Sequence, residues 1–354
     1  MTASAIEPCH LSVVMLMYNE AKIAERNLRE LASYLATTMN AGQGYEIVVV
    51  DDGSRDGTAE ILARLAAEGL PLRVASHPVN LGRGFGVRTG FAASRGAYVI
   101  YLDSDLSYSP DHIPALLAPL ANGTADITLA SAYHPDGSIE NVPGLRLAVS
   151  RLGNRILTWG LRRRFHTVTC LVRGFRREVL ETLVLTSGDK DIHLEILTKG
   201  MLLGFRVEEV PARLRWRDRD RASGTGIGAI FRMTETISSH LLYSYMMQPG
   251  LIARAPLYVL GALVIAGSLL FLYNFVARLA GLGGVPDESL YAAIRGSIVD
   301  GQVTLSIVAI SALFAIQLVS LVYLAKVNRK HYEELYYLLS VVNARVKALE
   351  GKKD

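Results

Sequence analysis

Short apolar runs alternate with helical patterns over the first half of the chain. The runs are rich in β-branched residues and end on polar turns: Leu11–Met17, Glu46–Val50, Leu72–Ser76 and Tyr98–Leu102. Apolar residues at helical spacing, or a glycine that begins a helix, follow these runs. Further along the chain, Asp189–Lys199 predicts another helix and Phe205–Val210 another strand. This alternation predicts an α/β fold with a mostly parallel sheet and helices on both faces.

Two uncharged apolar runs near the C-terminus, Ala255–Ala277 and Val303–Ala325, extend this picture. Each has about the length that a helix needs to cross a hydrocarbon layer of roughly 30 Å, so the pair predicts a transmembrane hairpin. Residues 278–302 between them carry only two cations, Arg278 and Arg295, whereas the flanking segments carry many more. The positive-inside tendency therefore places the N-terminal domain and the C-terminal tail in the cytoplasm, in a cytoplasmic-membrane protein with two spans.

The segments beside the hairpin have apolar stripes. Residues 227–247 predict an amphipathic juxtamembrane helix lying on the membrane or, alternatively, a helix packed on the core. The tail has a stripe through which the chain is expected to form homo-oligomers: Tyr332, Leu335, Leu338, Val342 and Val346. We therefore predict an N-terminal domain (1–226), a juxtamembrane helix (227–250), a hairpin (251–327) and a helical tail (328–354).

Composition narrows the range of partners. The net charge is only +4, but the basic residues cluster near the predicted membrane ends and ligand loops. Anionic headgroups and phosphates, rather than nucleic acid, are the expected partners, and general solubility is the alternative. The two cysteines, Cys9 and Cys170, form no disulfide framework or metal set and fit a reducing compartment. The first thirty residues lack the layout of a signal peptide, so the N-terminal half is expected to stay where it is made.

Two carboxylate turns follow predicted strands: Asp51-Asp52-Gly53 and Asp103-Ser104-Asp105. Ligands of such sheets bind at the carboxyl ends of the strands, where both turns fall. In an extended chain the carboxylates of Asp103 and Asp105 project to the same side, about 7 Å apart. Carboxylates so placed can bind Mg²⁺ or Mn²⁺, which commonly bridges protein carboxylates to diphosphate oxygens. The alternative for each is a solvated turn with a helix cap.

The motifs together resemble those of glycosyltransferase family 2. The resemblance rests on five segments in order: Met17-Tyr18-Asn19-Glu20, residues 51–58, Asn80-Leu81-Gly82-Arg83-Gly84, Arg95-Gly96 and Asp103-Ser104-Asp105. Within the family, the chain is similar to the polyprenyl-phosphate (dolichyl-phosphate) hexose synthases that have a C-terminal transmembrane hairpin. The resemblance covers roughly residues 10–230 and implies a GT-A-like fold with bound Mg²⁺ or Mn²⁺.

The resemblance also implies a role for individual residues. Asp52 matches the carboxylate that holds the base, and Asp103 and Asp105 match the binders of the metal and the diphosphate. The nucleotide-sugar-binding set is Met17, Tyr18, Asn19, Glu20, Val50, Asp52, Gly82, Asp103, Ser104 and Asp105. Arg221 lies in a loop that closes over the phosphates and acts in catalysis with Asp103 and Asp105. Arg173, Arg176 and Arg221 contact the acceptor phosphate, and Glu195 matches the usual acid of the family.

Three positions depart from the family pattern. Ser107 stands where a further metal ligand is often Gln, Gly226-Ile227 replaces a Ser-Lys pair, and Thr167 replaces an acid. Four arginines at alternating positions either replace the lost charge or form a solvated strand edge: Arg213, Arg215, Arg217 and Arg219.

The resemblance implies an inverting enzyme that moves a hexose from a GDP- or UDP-linked sugar to polyprenyl phosphate on the cytoplasmic membrane face. Two alternatives remain open. The first is a membrane-anchored transferase that acts on a glycan or a protein. The second is an inactive, transferase-like scaffold.

Overall fold

The computed structural model describes residues 9–39, 44–144, 165–217, 253–280 and 290–350, with a few positions between 147 and 154. These residues fall into two compact units. One contains Met1–Leu241 together with Leu335–Asp354, and the other contains Leu242–Glu334. The predicted four-part division of the chain stays a prediction, and its boundary at residue 226 and the predicted helix at 227–250 lie outside the described residues.

The first half of the N-terminal unit is a run of parallel strands joined by helices. Its strands are β1 (Cys9–Met17), β2 (Gly44–Asp51), β3 (Leu72–Ser76) and β4 (Tyr98–Asp103). The helices between them are α1 (Ala21–Thr38), α2 (Thr58–Ala67) and α3 (Arg83–Ala93). The strands pair in the order β3-β2-β1-β4, all parallel, as the sequence predicts.

The core of this unit explains why the sequence forms these elements. Strands β1 and β2 are covered on both faces, so that their central residues are almost continuously apolar and buried. Helix α1 turns a stripe toward the sheet, formed by Ile23, Ala24, Leu28, Leu31 and Leu35. Apart from the buried Asn27, its polar residues lie mostly on the opposite face, which is the pattern of a surface helix packed on a core.

The second half of the unit adds strands that the sequence analysis did not predict. The further elements are α4 (Ile113–Ala121), β5 (Ile127–Ser131), β6 (Ser138–Glu140), β7 (Arg173–Arg176), α5 (Arg177–Thr182), α6 (Ile192–Leu202), β8 (Val207–Pro211) and β9 (Arg213–Arg215). The main sheet has the order β3-β2-β1-β4-β7-β5-β8, in which β7 is antiparallel to both of its neighbours. Helix α6 and strand β8 were predicted, and both predictions are confirmed; β9 falls in the segment for which a strand edge was one of two interpretations.

The C-terminal part contains α7 (Arg254–Leu279), α8 (Leu290–Asp300) and α9 (Gln302–Glu350). Helices α7 and α9 are long and apolar enough to cross a membrane. None of the side chains of α7 is buried, and an apolar helix surface of this extent is stable in lipid rather than in water. The segment between the spans was predicted as a loop, but it contains α8. Helix α9 also continues without a break past residue 327, where the hairpin was predicted to end.

The two apolar helices approach closely at a glycine. A Cβ atom at Gly267 of α7 would lie 2.3 Å from a methyl carbon of Val308 in α9, so glycine is needed for this contact. Small residues commonly permit such close packing between helices in membranes.

Candidate active site

The polar ends of the parallel strands meet at one edge of the sheet. In the strand registers, Met17 lies opposite Asp51, Asp51 lies opposite Ser76, and Asp103 lies opposite Leu16. Adjacent strands are about 4.8 Å apart, so the turns that follow β1, β2 and β4 lie side by side. The structure thus brings together the strand-end residues that the sequence singled out.

The turn at Asp103-Ser104-Asp105 is held from several sides. The amide of Leu106, at φ +49°, donates a hydrogen bond to the backbone carbonyl of Asp103 (3.1 Å). One carboxylate oxygen of Asp105 accepts the amide of Ser107 at 2.9 Å. The Asn27 side chain donates to the carbonyl of Ser104 at 2.7 Å, from a fully buried position in α1. The backbone of the turn and the Asp105 carboxylate are therefore held by protein groups.

Asn27 is a site residue that the sequence analysis missed. The sequence feature that could have identified it is a single amide side chain on the apolar face of α1, between Ile23 and Leu31 in the stripe that packs on the sheet. A buried amide needs hydrogen-bond partners, so its position on that face predicts a contact with polar backbone.

The electrostatics of the turn favour a cation. Burial and the neighbouring Asp105 carboxylate raise the pKa of Asp103 to about 6, and the guanidinium of Arg83 partly opposes this. Among the described residues, no set of three or more His, Cys, Asp or Glu side chains is placed to hold a metal ion. A pair of carboxylates fits Mg²⁺ or Mn²⁺ if phosphate oxygens and water complete the shell, as Mg²⁺ commonly requires.

Asp52 organises the loop that leads into α3. One of its carboxylate oxygens lies 2.7 Å from Nδ1 of His77 and accepts the amide of Leu81 at 2.9 Å. The other oxygen accepts the amide of Gly82 at 3.0 Å. The side chain is only 2% exposed. The carboxylate therefore has a structural role in this loop, and the predicted contact of Asp52 with the base stays a prediction.

Hydrogen bonds connect the turn after β1 to the turn after β2. Asn19, at φ +54°, donates its amide to the hydroxyl of Ser54 and accepts the amide of Arg55 at its side-chain oxygen, at 2.9 and 2.8 Å. Behind it, the amides of Glu20 and Ala21 donate to Thr58 and Asp56. These bonds form one wall of the site before a ligand binds. Tyr18 belongs to this wall and is 44% exposed. Nucleotide binding by this segment, and by Val50 and Ser104, stays a prediction.

A second loop, residues 184–188, lies against the start of α3. The amide of Gly84 donates to the carbonyl of Gly188 at 3.0 Å, and a Cβ atom at Gly82 would lie 2.8 Å from the same oxygen. The buried carboxylate of Glu195 accepts the amides of Thr186 and Ser187, both at 2.9 Å. Although burial opposes its ionisation, hydrogen bonds from Lys199 and from this loop hold the pKa of Glu195 below its usual value. Glu195 therefore positions the 184–188 loop.

Arg173 begins β7 opposite Tyr101, two residues before Asp103 along the neighbouring strand β4. Its side chain is fully buried, and its guanidinium donates to three backbone carbonyls, at Cys170 (2.9 Å), His193 (2.6 Å) and Val168 (2.9 Å). Burial lowers its pKa to about 10. In this structure Arg173 ties β7 to α6 and to the segment before β7. Its predicted contact with the acceptor phosphate stays a prediction.

Arg176, unlike Arg173, lies beside the end of β4 that is away from the carboxylate turn. It is opposite Tyr98, at the start of β4, whereas Asp103 ends that strand. Its guanidinium is 3.5 Å from the carboxylate of Asp126, which Arg206 also binds. Arg176 thus has a structural partner here, and its predicted contact with the acceptor phosphate stays a prediction. Arg221 lies outside the described residues, so its role stays a prediction.

The arginines proposed to replace the lost charge are paired where the structure describes them. Arg213 pairs with Asp111, Arg215 with Glu140, and Arg217 with Glu30. Strand β9 covers only the first two of these arginines, and Arg219 lies outside the described residues. The pairing favours the strand-edge interpretation for these three side chains.

A cavity of about 1020 Å³ lies away from the carboxylates, beside α3 and α5. Its lining includes Arg88, Arg95 and Arg177 together with Phe91 and Leu183. Since it contains neither Asp103 nor Asp105, we do not assign it to the candidate active site.

The strand order and the carboxylate turn define the chain as a protein with the GT-A fold of nucleotide-sugar transferases. Glucosyl-3-phosphoglycerate synthase from Mycobacterium tuberculosis, solved with Mn²⁺, uridine diphosphate and phosphoglyceric acid, matches 67% of this chain and 78% of its own at 24% identity and a TM-score of 0.50. At this identity the match bears on the fold alone.

Sequence comparisons give the family. Residues 12–184 match the family described as glycosyl transferase family 2. Polyprenol monophosphomannose synthase of Mycolicibacterium smegmatis is 32% identical over 53% of this chain and 75% of its own length. Dolichol-phosphate mannosyltransferase of Pyrococcus furiosus is 32% identical over 67% of this chain and 63% of its own. The chain belongs to glycosyltransferase family 2.

Some relatives are considerably longer than the matched region. The chain is 30% identical to glycosyltransferase AglD of Haloferax volcanii over 82% of its own length, but this spans only 46% of that protein. The acceptor and the donor of this chain are therefore matters for a proposal.

Proposed function

We propose that the protein transfers a hexose from a UDP- or GDP-linked sugar to polyprenyl phosphate, with inversion at the anomeric carbon. The observation that carries the proposal is the turn at Asp103-Ser104-Asp105, held at the carboxyl edge of a GT-A sheet in a chain that also carries two helices long enough to cross a membrane. The names of the relatives from Mycolicibacterium smegmatis and Pyrococcus furiosus support a lipid-phosphate acceptor.

The chemistry needs little acid–base assistance. An oxygen of the lipid phosphate attacks the anomeric carbon, and the bond from that carbon to the nucleoside diphosphate breaks as the new bond forms. A phosphate oxygen is already anionic near neutral pH, so a strong general base is not required. One displacement of this kind inverts the anomeric configuration. Catalysis then rests on positioning and on neutralising the leaving diphosphate.

The residues divide this task between them. Asp103 and Asp105 hold the divalent cation, whose charge offsets that of the leaving diphosphate when it is bound. Arg83, at the start of α3, faces the same carboxylates, and Arg221 closes over the diphosphate. Tyr18 and Asn19 border the nucleotide. With Arg173 buried in this structure, Arg221 is the predicted acceptor-phosphate residue that the proposal uses.

We further propose that the active site and the end of α9 both face the cytoplasm. Tyr336 near the end of α9 contacts Val184 of the catalytic unit, which supports a common side for the two. The segment between the spans has few cations, and it includes Arg278, which pairs with Asp300. Such a segment is favoured on the outer side.

The proposed function is tested with the full chain in detergent. We expect radiolabel from one of a panel of UDP- and GDP-hexoses to enter the organic phase only when polyprenyl phosphate and Mg²⁺ or Mn²⁺ are both present. The configuration of the product is expected to be opposite to that of the donor. Transfer to a free glycan instead of the lipid would contradict the proposed acceptor. The absence of transfer or hydrolysis with every donor would indicate a scaffold.

The topology is tested by cysteine labelling in intact cells. A cysteine that replaces Ala280, at the exposed end of α7, is expected to react with an impermeant maleimide from outside. A cysteine that replaces Lys330 in α9 is expected to react only after permeabilisation. The parent chain is the control, because it reports any labelling of its own two cysteines, Cys9 and Cys170. Burial raises the pKa of the Cys170 thiol to about 12, which disfavours the reactive thiolate. The reverse labelling pattern would exclude a cytoplasmic active site.

A further inference from the structure

One side chain near the end of α9 is buried against the catalytic unit. Tyr336 is only 4% exposed, whereas the flanking Leu335 and Tyr337 are 66% and 60% exposed. Helix α9 carries a candidate membrane span and continues without a break to Glu350. Leu335 and the residues after it belong to the catalytic unit, and Tyr336 is a buried aromatic residue in this part of the helix.

Both the ring and the hydroxyl of Tyr336 are engaged. The amide of Val184 donates to the tyrosine hydroxyl at 3.1 Å. The ammonium group of Lys199 lies 4.6 Å from the ring centre and donates to the carbonyl of Val184 at 2.8 Å. Lys199 is 3% exposed, and a cation–π contact is strongest when the cation is removed from water.

The contacts continue from Tyr336 to the candidate active site. Lys199 pairs with Glu195 at 2.5 Å, and Glu195 holds the amides of Thr186 and Ser187. The next residue, Gly188, accepts the amide of Gly84 at the start of α3. Each step is a buried or partly buried polar contact, and the path ends beside Arg83.

We propose that Tyr336 is a positioning residue for donor binding. It braces the 184–188 loop against the start of α3, so that the end of α9 completes the wall of the donor site. The inference rests on the proposed function, because the loop borders the site that we assign to the nucleotide-sugar. It assigns a role in this site to the tail, outside the family match at residues 12–184.

The brace is tested first by hydrogen–deuterium exchange on the full chain in detergent, which requires no transfer activity. In Tyr336→Ala, amides of residues 184–188 and 82–86 are expected to exchange faster, while amides of β1 and β2 keep their protection. Tyr336→Phe keeps the ring over Lys199 and loses the hydroxyl, so a smaller change confined to residues 184–188 is expected. Tyr337→Ala, at an exposed neighbouring position, is the matched control and is expected to match the parent.

Ligand affinity provides the second readout. Binding of UDP and of GDP with Mn²⁺, measured by calorimetry, is expected to weaken roughly tenfold in Tyr336→Ala and only about two- to threefold in Tyr336→Phe. The KM for polyprenyl phosphate is expected to stay unchanged in both variants. Unchanged exchange at residues 184–188 in Tyr336→Ala would overturn the inference. So would faster exchange throughout β1–β4, which indicates a general loss of stability.

The two proposals fail in different ways. If the parent chain transfers no sugar but exchange responds as expected, the proposed function fails and the brace between α9 and the 184–188 loop stands. If the parent transfers sugar but Tyr336→Ala binds UDP and GDP as the parent does, the positioning role fails and the proposed function stands. Tyr336→Phe keeps the test decisive if the alanine variant does not fold.

Discussion

Asp103→Ala and Asp105→Asn are each expected to lower turnover by at least about two orders of magnitude, the scale of losing a preorganised charge at a leaving group. Both carboxylates lie in one turn at the edge of the sheet, and the pair is the described site best suited to a divalent cation. Addition of EDTA to the parent enzyme is expected to cause the same loss. Initial rates of transfer to polyprenyl phosphate provide the measurement.

These substitutions are expected to leave the domain folded. The carboxylates repel each other, and this repulsion contributes to the raised pKa of Asp103. Removing one charge relieves it. Asn at position 105 also keeps an oxygen that can accept the amide of Ser107, as the aspartate does. Asp111→Asn is the matched control, because that carboxylate is half exposed and pairs with Arg213. Full activity of the parent in EDTA would contradict the metal assignment.

Arg173→Ala is expected to destabilise the catalytic unit by about 3–5 kcal/mol, because it leaves three buried carbonyls without a donor and opens a cavity. A loss of this size is a large part of the typical total stability of a domain. Arg173→Lys is expected to recover only part of it, since one ammonium group cannot reproduce the planar guanidinium fork. Thermal unfolding of the full chain in detergent provides the measurement.

Arg176→Ala is the control that distinguishes the loss of these buried hydrogen bonds from the loss of a positive charge in the same strand. Its guanidinium is partly exposed, and Asp126 keeps Arg206 as a partner when Arg176 is removed. A change below about 1 kcal/mol is therefore expected. If Arg173→Ala kept parental stability and raised only the KM for polyprenyl phosphate, the residue would be the acceptor clamp that the family resemblance implies, and its burial would be a misleading guide.

The parallel half of the sheet could be predicted because each of its strands is recognisable from a short stretch of sequence. Each of the strands β1 to β4 is a short apolar run, and β1, β2 and β4 end on polar residues of a recognisable motif. Parallel pairing then aligns these ends at one edge, which brings Asp51 and Asp103 near each other without any further assumption. The paired carboxylates were therefore found from the sequence alone.

The position of Arg173 could not be predicted in this way. Arginine is rarely fully buried without a partner, so a cation-rich segment is taken to be exposed. Here the partners are carbonyls of Val168, Cys170 and His193, and the last of these lies in another element. The antiparallel entry of β7 between β4 and β5 is what turns the side chain inward, and that arrangement depends on long-range pairing.

The tail illustrates the same limit. Its apolar stripe predicted contacts between copies of the chain, and Leu335, Leu338 and Val342 of this stripe are exposed in the single chain. Self-association through them stays a prediction. The buried side chains of the described tail are instead Tyr336 and Ser340, which lie outside that stripe. A helical pattern identifies a face, but the partner of that face depends on the tertiary structure.

The buried bonds of Asp52 bear on how inactive members of the family would be recognised. Since Asp52 holds the backbone at Leu81 and Gly82, selection for folding alone would retain it. A relative that had lost transfer would keep the same Asp-Asp-Gly turn and would resemble an enzyme there. Position 103 has little reason to remain aspartate once no cation is bound, because burial and the neighbouring Asp105 carboxylate both disfavour its charge. Substitution at position 103 is therefore the mark by which a genome survey would separate inactive copies from working enzymes.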